Sequence, residues 1–185
     1  MNYIFHFEQT PNTRAVKFVA NKAFTDQTAQ FESSQDAIFS PLASKIFGFP
    51  WAEAVYIAPE FVTVTKQDWV SWEVLAEPLC EMISEHLNSG LPALSDKKTS
   101  DALSENDSDD SKEVRLIKHI LNTEIRPAVA FDGGDIVFQK YEDYVVYVAL
   151  KGSCSGCQSS VITLKEGVES RLRNALPEIQ GVVAV

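Results

Sequence analysis

Two of the three cysteines in this 185-residue chain, Cys154 and Cys157, belong to one short stretch, KGSCSGCQ (151–158). A pair this close can form a disulfide, act as a redox dithiol or supply part of a metal site. The cysteine total is odd, with Cys80 as the third, so a disulfide framework is a poor interpretation and a reducing compartment fits better. Metal binding and thiol–disulfide exchange remain as the chemistries of this loop.

The cysteine loop lies between an apolar run that predicts a strand (144–150) and an amphipathic run that predicts a helix (161–175). Unpaired backbone N–H groups and the positive end of the helix dipole converge at such a junction. Both lower the pKa of a thiol, and both metal ligation and disulfide exchange require the thiolate. The spacing alone therefore gives the two chemistries similar weight.

The number of ligands narrows the choice. A closed zinc site or a cubane cluster takes four protein ligands, and this loop offers two. Cys80 lies on a predicted helix more than seventy residues before the loop. The three histidines, His6, His86 and His119, show no ligand-pair spacing near the loop. Two copies of the loop facing each other across a symmetry axis would present four thiolates. An iron–sulfur cluster bridging two subunits is the natural candidate, and a structural zinc staple and a dithiol oxidoreductase are the alternatives.

Purely structural interpretations compete with each of these assignments. The glycine and serine neighbours of Cys154 and Cys157 predict an exposed loop, which argues against two small buried hydrophobes. Cys80 flanks an apolar helical stripe, and we interpret it as a packing residue. The histidines receive no functional assignment. Asp132 and Asp135 surround two glycines, so we interpret both as turn formers.

The composition changes abruptly over residues 89–112, where Ser, Asp, Asn and Lys dominate and apolar periodicity is lost. Such a segment cannot bury enough apolar surface to offset its ordering entropy. We therefore predict a flexible acidic linker between two small domains of mixed helix and strand, residues 1–88 and 113–185. The expected fold class is α+β.

The first segment shows patterns for strands and helices in alternation. Residues 14–20 alternate as a strand would, and Ser40-Pro41 predicts the N-cap and first residue of a short helix. Residues 54–58 and 61–66 predict a hairpin. From Trp72 onward, apolar residues at three- and four-residue steps predict an amphipathic helix.

The second segment predicts the order helix, strand, strand, cysteine loop, helix, strand. Its first helix is expected to end or kink before Pro127, and strands 136–141 and 144–150 are expected to form an antiparallel hairpin. Residues 182–185 predict a last short strand. The helix after the loop has one apolar stripe, made of Val161, Leu164, Val168, Leu172 and Ala175.

Overall composition restricts the class of partner. The chain is 45% hydrophobic, enough for a core, and its formal net charge is −10. That charge opposes nonspecific attraction to nucleic acid and to anionic membrane surfaces, so neither is an expected partner. No run of about 18 apolar residues occurs, and the first twenty residues lack a signal or transit pattern, so the chain is expected to be unexported.

The motifs of the second segment resemble the C-terminal NifU-type domain of Nfu iron–sulfur cluster proteins. They occur in that family's order and spacing as IRPAVAFDGGDI, GSCSGC, TLK-x-G-x-E and a closing LPEI. The first segment resembles the Nfu N-terminal domain through TPNTRAVKF, SPLASKIF and EFVTVTK. The resemblance covers nearly everything except the linker. One departure is Gln158, which stands where many members have proline.

This resemblance implies that Cys154 and Cys157 bind a 4Fe–4S cluster, or in a second form 2Fe–2S, shared between two protomers and passed to apo-proteins. The implied partners are a second copy of the chain, apo iron–sulfur clients and upstream cluster-assembly proteins. The family implies a carrier rather than an enzyme, with an N-terminal domain that contributes client contacts. Because eukaryotic members usually carry a transit sequence, the resemblance favours the bacterial cytoplasm over the mitochondrial matrix.

Overall fold

The computed structural model describes residues 2–95, 111–155 and 158–185, and of 158–161 and 163 it describes the backbone alone. The chain divides into two compact units, Met1–Leu103 and Ser104–Val185. Each unit has its own sheet, its own helices and its own hydrophobic core, which confirms the α+β class. Most of the predicted flexible linker, residues 96–110, lies outside the described residues.

The first unit is built on a five-stranded antiparallel sheet with the order β1-β2-β5-β4-β3. The strands are β1 (Phe5–Gln9), β2 (Ala15–Ala20), β3 (Ala29–Phe31), β4 (Ala52–Ile57) and β5 (Phe61–Lys66). A 3₁₀ turn (Asp36–Phe39) leads into α1 (Pro41–Phe47), and α2 (Trp72–Asn88) follows β5. The β4–β5 pair confirms the predicted hairpin.

Local sequence signals explain where the two helices of this unit begin. The Ser40 side chain accepts a hydrogen bond from the Ala43 backbone N–H at 2.9 Å, with proline at the first helical position, as predicted. Ser71 caps α2 in the same way through Glu73 N–H, at 3.3 Å. Helix α2 packs on the sheet through side chains buried at three- and four-residue intervals, which are Trp72, Ala76, Leu79, Ile83 and Leu87.

The first unit extends beyond residue 88, where the predicted linker was expected to begin. Ala93 and Leu94 are buried in its core. The Ser40 hydroxyl donates to the Ala93 carbonyl at 2.6 Å, and the Ser95 N–H donates to the Phe39 carbonyl at 2.8 Å. The apolar run LPAL (91–94) is short and lies between polar residues, so apolar periodicity does not indicate a core segment there. Ala93 and Leu94 pack into the core while these two hydrogen bonds satisfy the Ala93 carbonyl and the Ser95 N–H.

The second unit follows the predicted order of elements. It contains α3 (Lys112–Ile120), a π-helical turn (Leu121–Ile125), α4 (Arg126–Phe131), β6 (Gly134–Glu142), β7 (Val145–Gly152), α5 (Gln158–Ala175) and β8 (Gly181–Ala184). Strand β7 is central, antiparallel to β6 and parallel to β8. The helix α3 begins at Lys112 behind an N-cap, Ser111, so both residues belong to this unit rather than to the linker.

The π-helical turn explains how the helical segment passes Pro127. Proline lacks the backbone N–H, and in a straight α-helix its ring would clash with the carbonyl four residues earlier. Here the Arg126 N–H donates to the Leu121 carbonyl five residues back, which widens the turn just ahead of the proline. The helix was expected to end or kink before Pro127; α3 ends at Ile120, and the helical path continues through the π-helical turn into α4.

Two details of the second unit differ from expectation. Asp143 and Tyr144 both adopt positive φ (50° and 62°), as a two-residue hairpin turn requires, so β7 begins at Val145 rather than at Tyr144. Ala175 is exposed, whereas Leu172 is fully buried and Ile179 beyond the helix packs into the core.

Among the described residues, no helix combines the length and apolarity needed to cross a membrane.

Candidate functional site

The cysteine loop has the position predicted for it, between a strand and a helix. Strand β7 ends at Gly152, and α5 begins at Gln158. Cys154 lies in the described part of the loop, whereas Gly156 and Cys157 lie outside the described residues. The structure therefore gives the surroundings of one of the two predicted sulfur ligands.

Cys154 is buried, which corrects the expectation that the whole loop is exposed. Its relative exposure is 7%, and its sulfur lies against Gly134, the first residue of β6. A Cβ atom placed on Gly134 would lie 2.5 Å from Cys154 Sγ and 2.9 Å from the Lys151 carbonyl oxygen. We call the space beside Gly134 that this sulfur fills the Gly134 slot. The slot exists because glycine has no side chain and because the register pairs Gly134 with Gly152.

The turn before β6 holds the cysteine loop through backbone carbonyl groups. The Ser153 N–H donates to the Gly133 carbonyl at 3.1 Å, and the Ser153 hydroxyl donates to the Asp132 carbonyl at 2.5 Å. Gly133 has φ +78°, a conformation that favours glycine. On the far side of Cys154, both the N–H and the hydroxyl of Ser155 donate to the Gly152 carbonyl. The serines therefore set the path of the loop around the sulfur.

Asp135 is a structural anchor, which corrects its interpretation as a turn former. It lies inside β6, and its side chain is only 8% exposed. Its carboxylate accepts two hydrogen bonds from the Arg126 guanidinium, at 2.8 Å and 2.9 Å, and a third from the Ile136 N–H at 2.8 Å. Arg126 also donates to the Asn122 side chain at 3.1 Å. This network fastens the start of α4 to the start of β6.

Sequence reasoning missed Arg126 and Gly134 as parts of the site. Both fall within the run IRPAVAFDGGDI, so the family motif held the signal. The apolar periodicity of the sequence did not contain this signal. The pairing of Arg126 with Asp135 depends on the π-helical turn, and the Gly134 slot depends on strand register. Asp132 is a turn residue, as predicted, although its backbone carbonyl is the atom that contacts the cysteine loop.

Cys80 and His86 are both buried in the first unit. Cys80 is 8% exposed within the first core, and burial, then the charges of Glu81 and Glu77, raise the pKa of its thiol. His86 is 2% exposed, and its Nε2 lies 3.1 Å from the Pro92 carbonyl oxygen. Burial lowers the pKa of His86. Across the part of the chain that the structure describes, no three His, Cys, Asp or Glu side chains gather as metal ligands.

Comparison with known proteins gives matches over both units. A family model described as "Scaffold protein Nfu/NifU N terminal" matches residues 5–90, and one described as "NifU-like domain" matches residues 117–183. The solution NMR structure of a NifU-like protein from Saccharomyces cerevisiae overlaps 52% of this chain and 87% of that chain, with a TM-score of 0.46 and 21% identity.

Curated relatives align with the whole chain. The human protein named NFU1 iron-sulfur cluster scaffold homolog, mitochondrial, is 36% identical over 189 residues, which span all of this chain and 73% of the human protein. The Drosophila ananassae protein of the same name is 37% identical over 186 residues, and this chain spans 65% of its length. Together with the two family models, these identities show that the chain belongs to the Nfu family of scaffold proteins.

Proposed function

We propose that this chain is a carrier that holds an iron–sulfur cluster between two copies of itself and passes the cluster to apo-proteins. Cys154 and Cys157 are the proposed ligands. The observation that carries the proposal is the ligand count at the cysteine loop: one loop offers two thiols, and among the described residues no group of three His, Cys, Asp or Glu side chains could hold a metal ion within one copy. The names of the relatives, which describe iron–sulfur cluster scaffolds, support the same conclusion.

The donor set fits iron–sulfur chemistry in the part that the structure describes. Thiolates are the usual protein ligands of these clusters, and four are needed for a 4Fe–4S cluster. Small residues flank Cys154 in sequence, so two loops can approach closely. We propose 4Fe–4S as the cluster and 2Fe–2S as a smaller form of the same cargo. When bound, the cluster supplies the exchangeable iron–thiolate bonds on which transfer depends.

Binding requires Cys154 to change its position. Its sulfur is buried in the Gly134 slot, where a second copy cannot reach it. The side chain must turn outward and lose its proton, since the thiolate is the ligand. The hydrogen bonds that Ser153 makes to Asp132 and Gly133 keep the start of the loop in place during this change. In this proposal, loading therefore releases a proton and moves the Cys154 sulfur out of the Gly134 slot.

The proposed partners are apo iron–sulfur proteins as recipients and cluster-assembly proteins as donors. In this proposal the first unit contacts the clients and the linker lets the second unit deliver, without a catalytic role for either. The compartment expected from the sequence was the bacterial cytoplasm. The relatives compared above are named as mitochondrial, which weighs against that expectation and toward a mitochondrial location.

Anaerobic reconstitution of the full chain with iron and sulfide tests the proposal. We expect a coloured dimer with about four irons per dimer. Cys154→Ala and Cys157→Ala should each abolish cluster uptake and leave the unloaded fold intact, whereas Cys80→Ala should retain uptake, because Cys80 belongs to the core of the first unit.

Other outcomes would contradict the proposal in specific ways. A chain that stays monomeric and colourless would refute it. Zinc found in protein purified without air would identify a structural staple. Catalytic reduction of a test disulfide, independent of dimer formation, would identify an oxidoreductase. Loss of the cluster in Cys80→Ala would show that the ligand assignment is wrong.

A further inference from the structure

A groove of about 670 Å³ lies in the first unit, between the sheet and the first turns of α2. Its walls come from β1, from the turn between β1 and β2, from the end of β5 and from α2. This volume is within the range of small-ligand sites in proteins. The cysteine loop belongs to the second unit, so the proposed cluster site leaves this groove without a role.

The groove opens toward the start of α2. At the other end of the helix, the Asn88 side chain accepts a hydrogen bond from the Tyr3 N–H at 2.7 Å and donates one to the Tyr3 carbonyl at 2.9 Å. Phe5 and Phe7 lie on the same face of β1, and the exposed fraction rises from 8% at Phe5 to 42% at Phe7. The helix therefore covers the beginning of β1 and leaves Phe7 accessible at the mouth of the groove.

Lys66 is a buried cation that lines the groove. It is 7% exposed, and its Nζ donates to the Gln67 carbonyl at 3.3 Å. Across the described residues, no carboxylate forms an ion pair with that ammonium group. Arg14, which also lines the groove, is paired with Glu53 and Asp68. Because a buried ammonium group without a carboxylate is costly, an anion that enters the groove gains a partner at Lys66.

Trp72 supplies a second unsatisfied group in the lining of the groove. It is 7% exposed, and its Nε1 is buried without a hydrogen-bond partner in the part of the chain that the structure describes. An indole N–H can only donate, so it requires an acceptor. Behind Trp72 the groove meets the core, where the Trp51 ring lies edge-on with the two ring centroids 6.2 Å apart. The inner end of the groove is therefore closed and lined by two donors.

We propose that this groove binds the C-terminal end of a partner polypeptide, with the terminal carboxylate at Lys66. From β1 to β5 the groove crosses two strand spacings, about 10 Å, which three extended residues span. A chain end fits a groove that is open at Phe7 and closed by the core. Gln9 and Thr13 also line the groove and can pair with the peptide amides. The inference concerns the first unit alone and does not rest on the cluster function proposed above.

The rim of the groove restricts the charge of the ligand. Three acidic residues, Asp68, Glu73 and Glu77, line the groove and are exposed to solvent. Their charges repel a dianion such as phosphate and attract a basic side chain. The expected ligand therefore carries a single carboxylate at its end and a lysine or arginine a short distance before it.

NMR titration of the full chain without a cluster tests this inference. The probe is the peptide acetyl-Lys-Val-Val with a free C-terminal carboxylate, and its matched control is the same peptide with a C-terminal amide. We expect the acid to bind about tenfold more tightly than the amide, as a charge-assisted hydrogen bond implies. The Trp72 indole N–H and the Gln67 amide signals should shift, and inorganic phosphate should not reproduce these shifts.

Lys66→Met and Lys17→Met form a matched pair of variants. Lys17 is also buried, at 8%, but it lies on the other face of the sheet and pairs with Glu8 at 3.5 Å. We expect Lys66→Met alone to lose the preference for the acid over the amide. Its thermal unfolding temperature should not fall, because the substitution removes a buried charge that has no carboxylate partner.

The acid–amide comparison on the original chain decides the question even if a variant fails to fold. Equal binding of the two peptides would overturn the inference, as would shifts confined to the second unit. Tighter binding of phosphate than of the acid peptide would identify a general anion site instead. An unchanged preference in Lys66→Met would show that Lys66 does not receive the carboxylate. None of these results would alter the outcome of cluster reconstitution, so the two proposals fail separately.

Discussion

The Arg126 guanidinium holds the Asp135 carboxylate through two parallel hydrogen bonds, Nε to Oδ1 at 2.8 Å and Nη2 to Oδ2 at 2.9 Å. The pair joins the two ends of a short segment that contains α4 and the Asp132–Gly133 turn. The Asp132–Gly133 turn holds Ser153, the neighbour of Cys154, through hydrogen bonds to its backbone carbonyl groups. The position of the cysteine loop therefore depends on an ion pair that is itself outside the loop.

Arg126→Ala should destabilise the second unit by about 3 kcal/mol, because it leaves the buried Asp135 carboxylate without its charge partner. The exposed pair of Arg171 with Glu124, joined at 3.0 Å, offers a matched control. Arg171→Ala should cost less than about 1 kcal/mol, since solvent screens that pair. Urea unfolding of both variants measures the difference. Equal losses in the two variants would show that the Arg126 pair is no anchor.

Gly134→Ala should destabilise the second unit by about 1–3 kcal/mol, because the added methyl group meets Cys154 Sγ and the Lys151 carbonyl. It should also push Cys154 out of the Gly134 slot, so that iodoacetamide alkylates Cys154 faster, as followed by mass spectrometry of the cysteine peptide. Gly167→Ala is the control. Nothing lies within 4 Å of a Cβ at that helical position, so alanine should stabilise by about 0.5–1 kcal/mol. Unchanged alkylation of Cys154 in Gly134→Ala would refute the slot.

The stability of the first unit should fall as the pH is lowered from about 8 to 5. Burial lowers the pKa of His86 in the folded chain, with Lys45 adding to the effect, while its hydrogen bond to the Pro92 carbonyl opposes the shift. The unfolded chain then binds a proton that the folded chain excludes, so stability rises with pH through this window. The Nδ1 atom is buried and has no hydrogen-bond partner in the described part of the chain, so a proton there is poorly accommodated.

His86→Gln removes this titration and serves as the test. Urea unfolding of the first unit at pH 8, 6.5 and 5 should show a shallower pH dependence in the variant than in the original chain. A pH dependence of the same slope in both proteins would assign the effect to other groups.

Glu81→Lys should stabilise helix α2 by about 1 kcal/mol. Glu73, Glu77, Glu81 and Glu85 follow one another at four-residue steps on exposed positions of α2. Like charges at this spacing repel, and lysine at position 81 replaces two repulsions by two attractions. Glu81→Gln should give about half of the gain, and 1 M NaCl should reduce both gains by screening. Thermal unfolding measures them, and a gain that salt does not change would show that charge is not its cause.

Much of the fold could be predicted because local signals and packing agree. The N-cap at Ser40 and the hairpin of the second unit follow from residue types whose preferences the tertiary contacts reinforce. The end of the first unit could not be predicted in the same way. This segment, residues 91–95, is short and lies between polar residues, and the burial of Ala93 and Leu94 depends on contacts with a distant part of the chain, including the hydrogen bonds to Ser40 and Phe39.

The candidate site also has a part that local sequence predicts and a part that it does not. The pairing of the cysteines with a strand-to-helix junction is local, so the spacing predicts it. The burial of Cys154 is not local, because it requires a glycine twenty residues earlier in the chain to face the loop across a strand pair. The role of Asp135 depends on a widened helical turn that brings Arg126 into range, and neither strand nor helix periodicity contains that information.

The Gly134 slot also bears on what happens after delivery. Thiols in aqueous surroundings are exposed to peroxide, and an exposed thiolate proceeds through sulfenic acid to forms that cannot be reduced again. In the proposed cycle, a carrier that has given up its cargo can return the Cys154 sulfur to its buried position beside Gly134. In that cycle, burial would shield the Cys154 sulfur from oxidation whenever the carrier is empty.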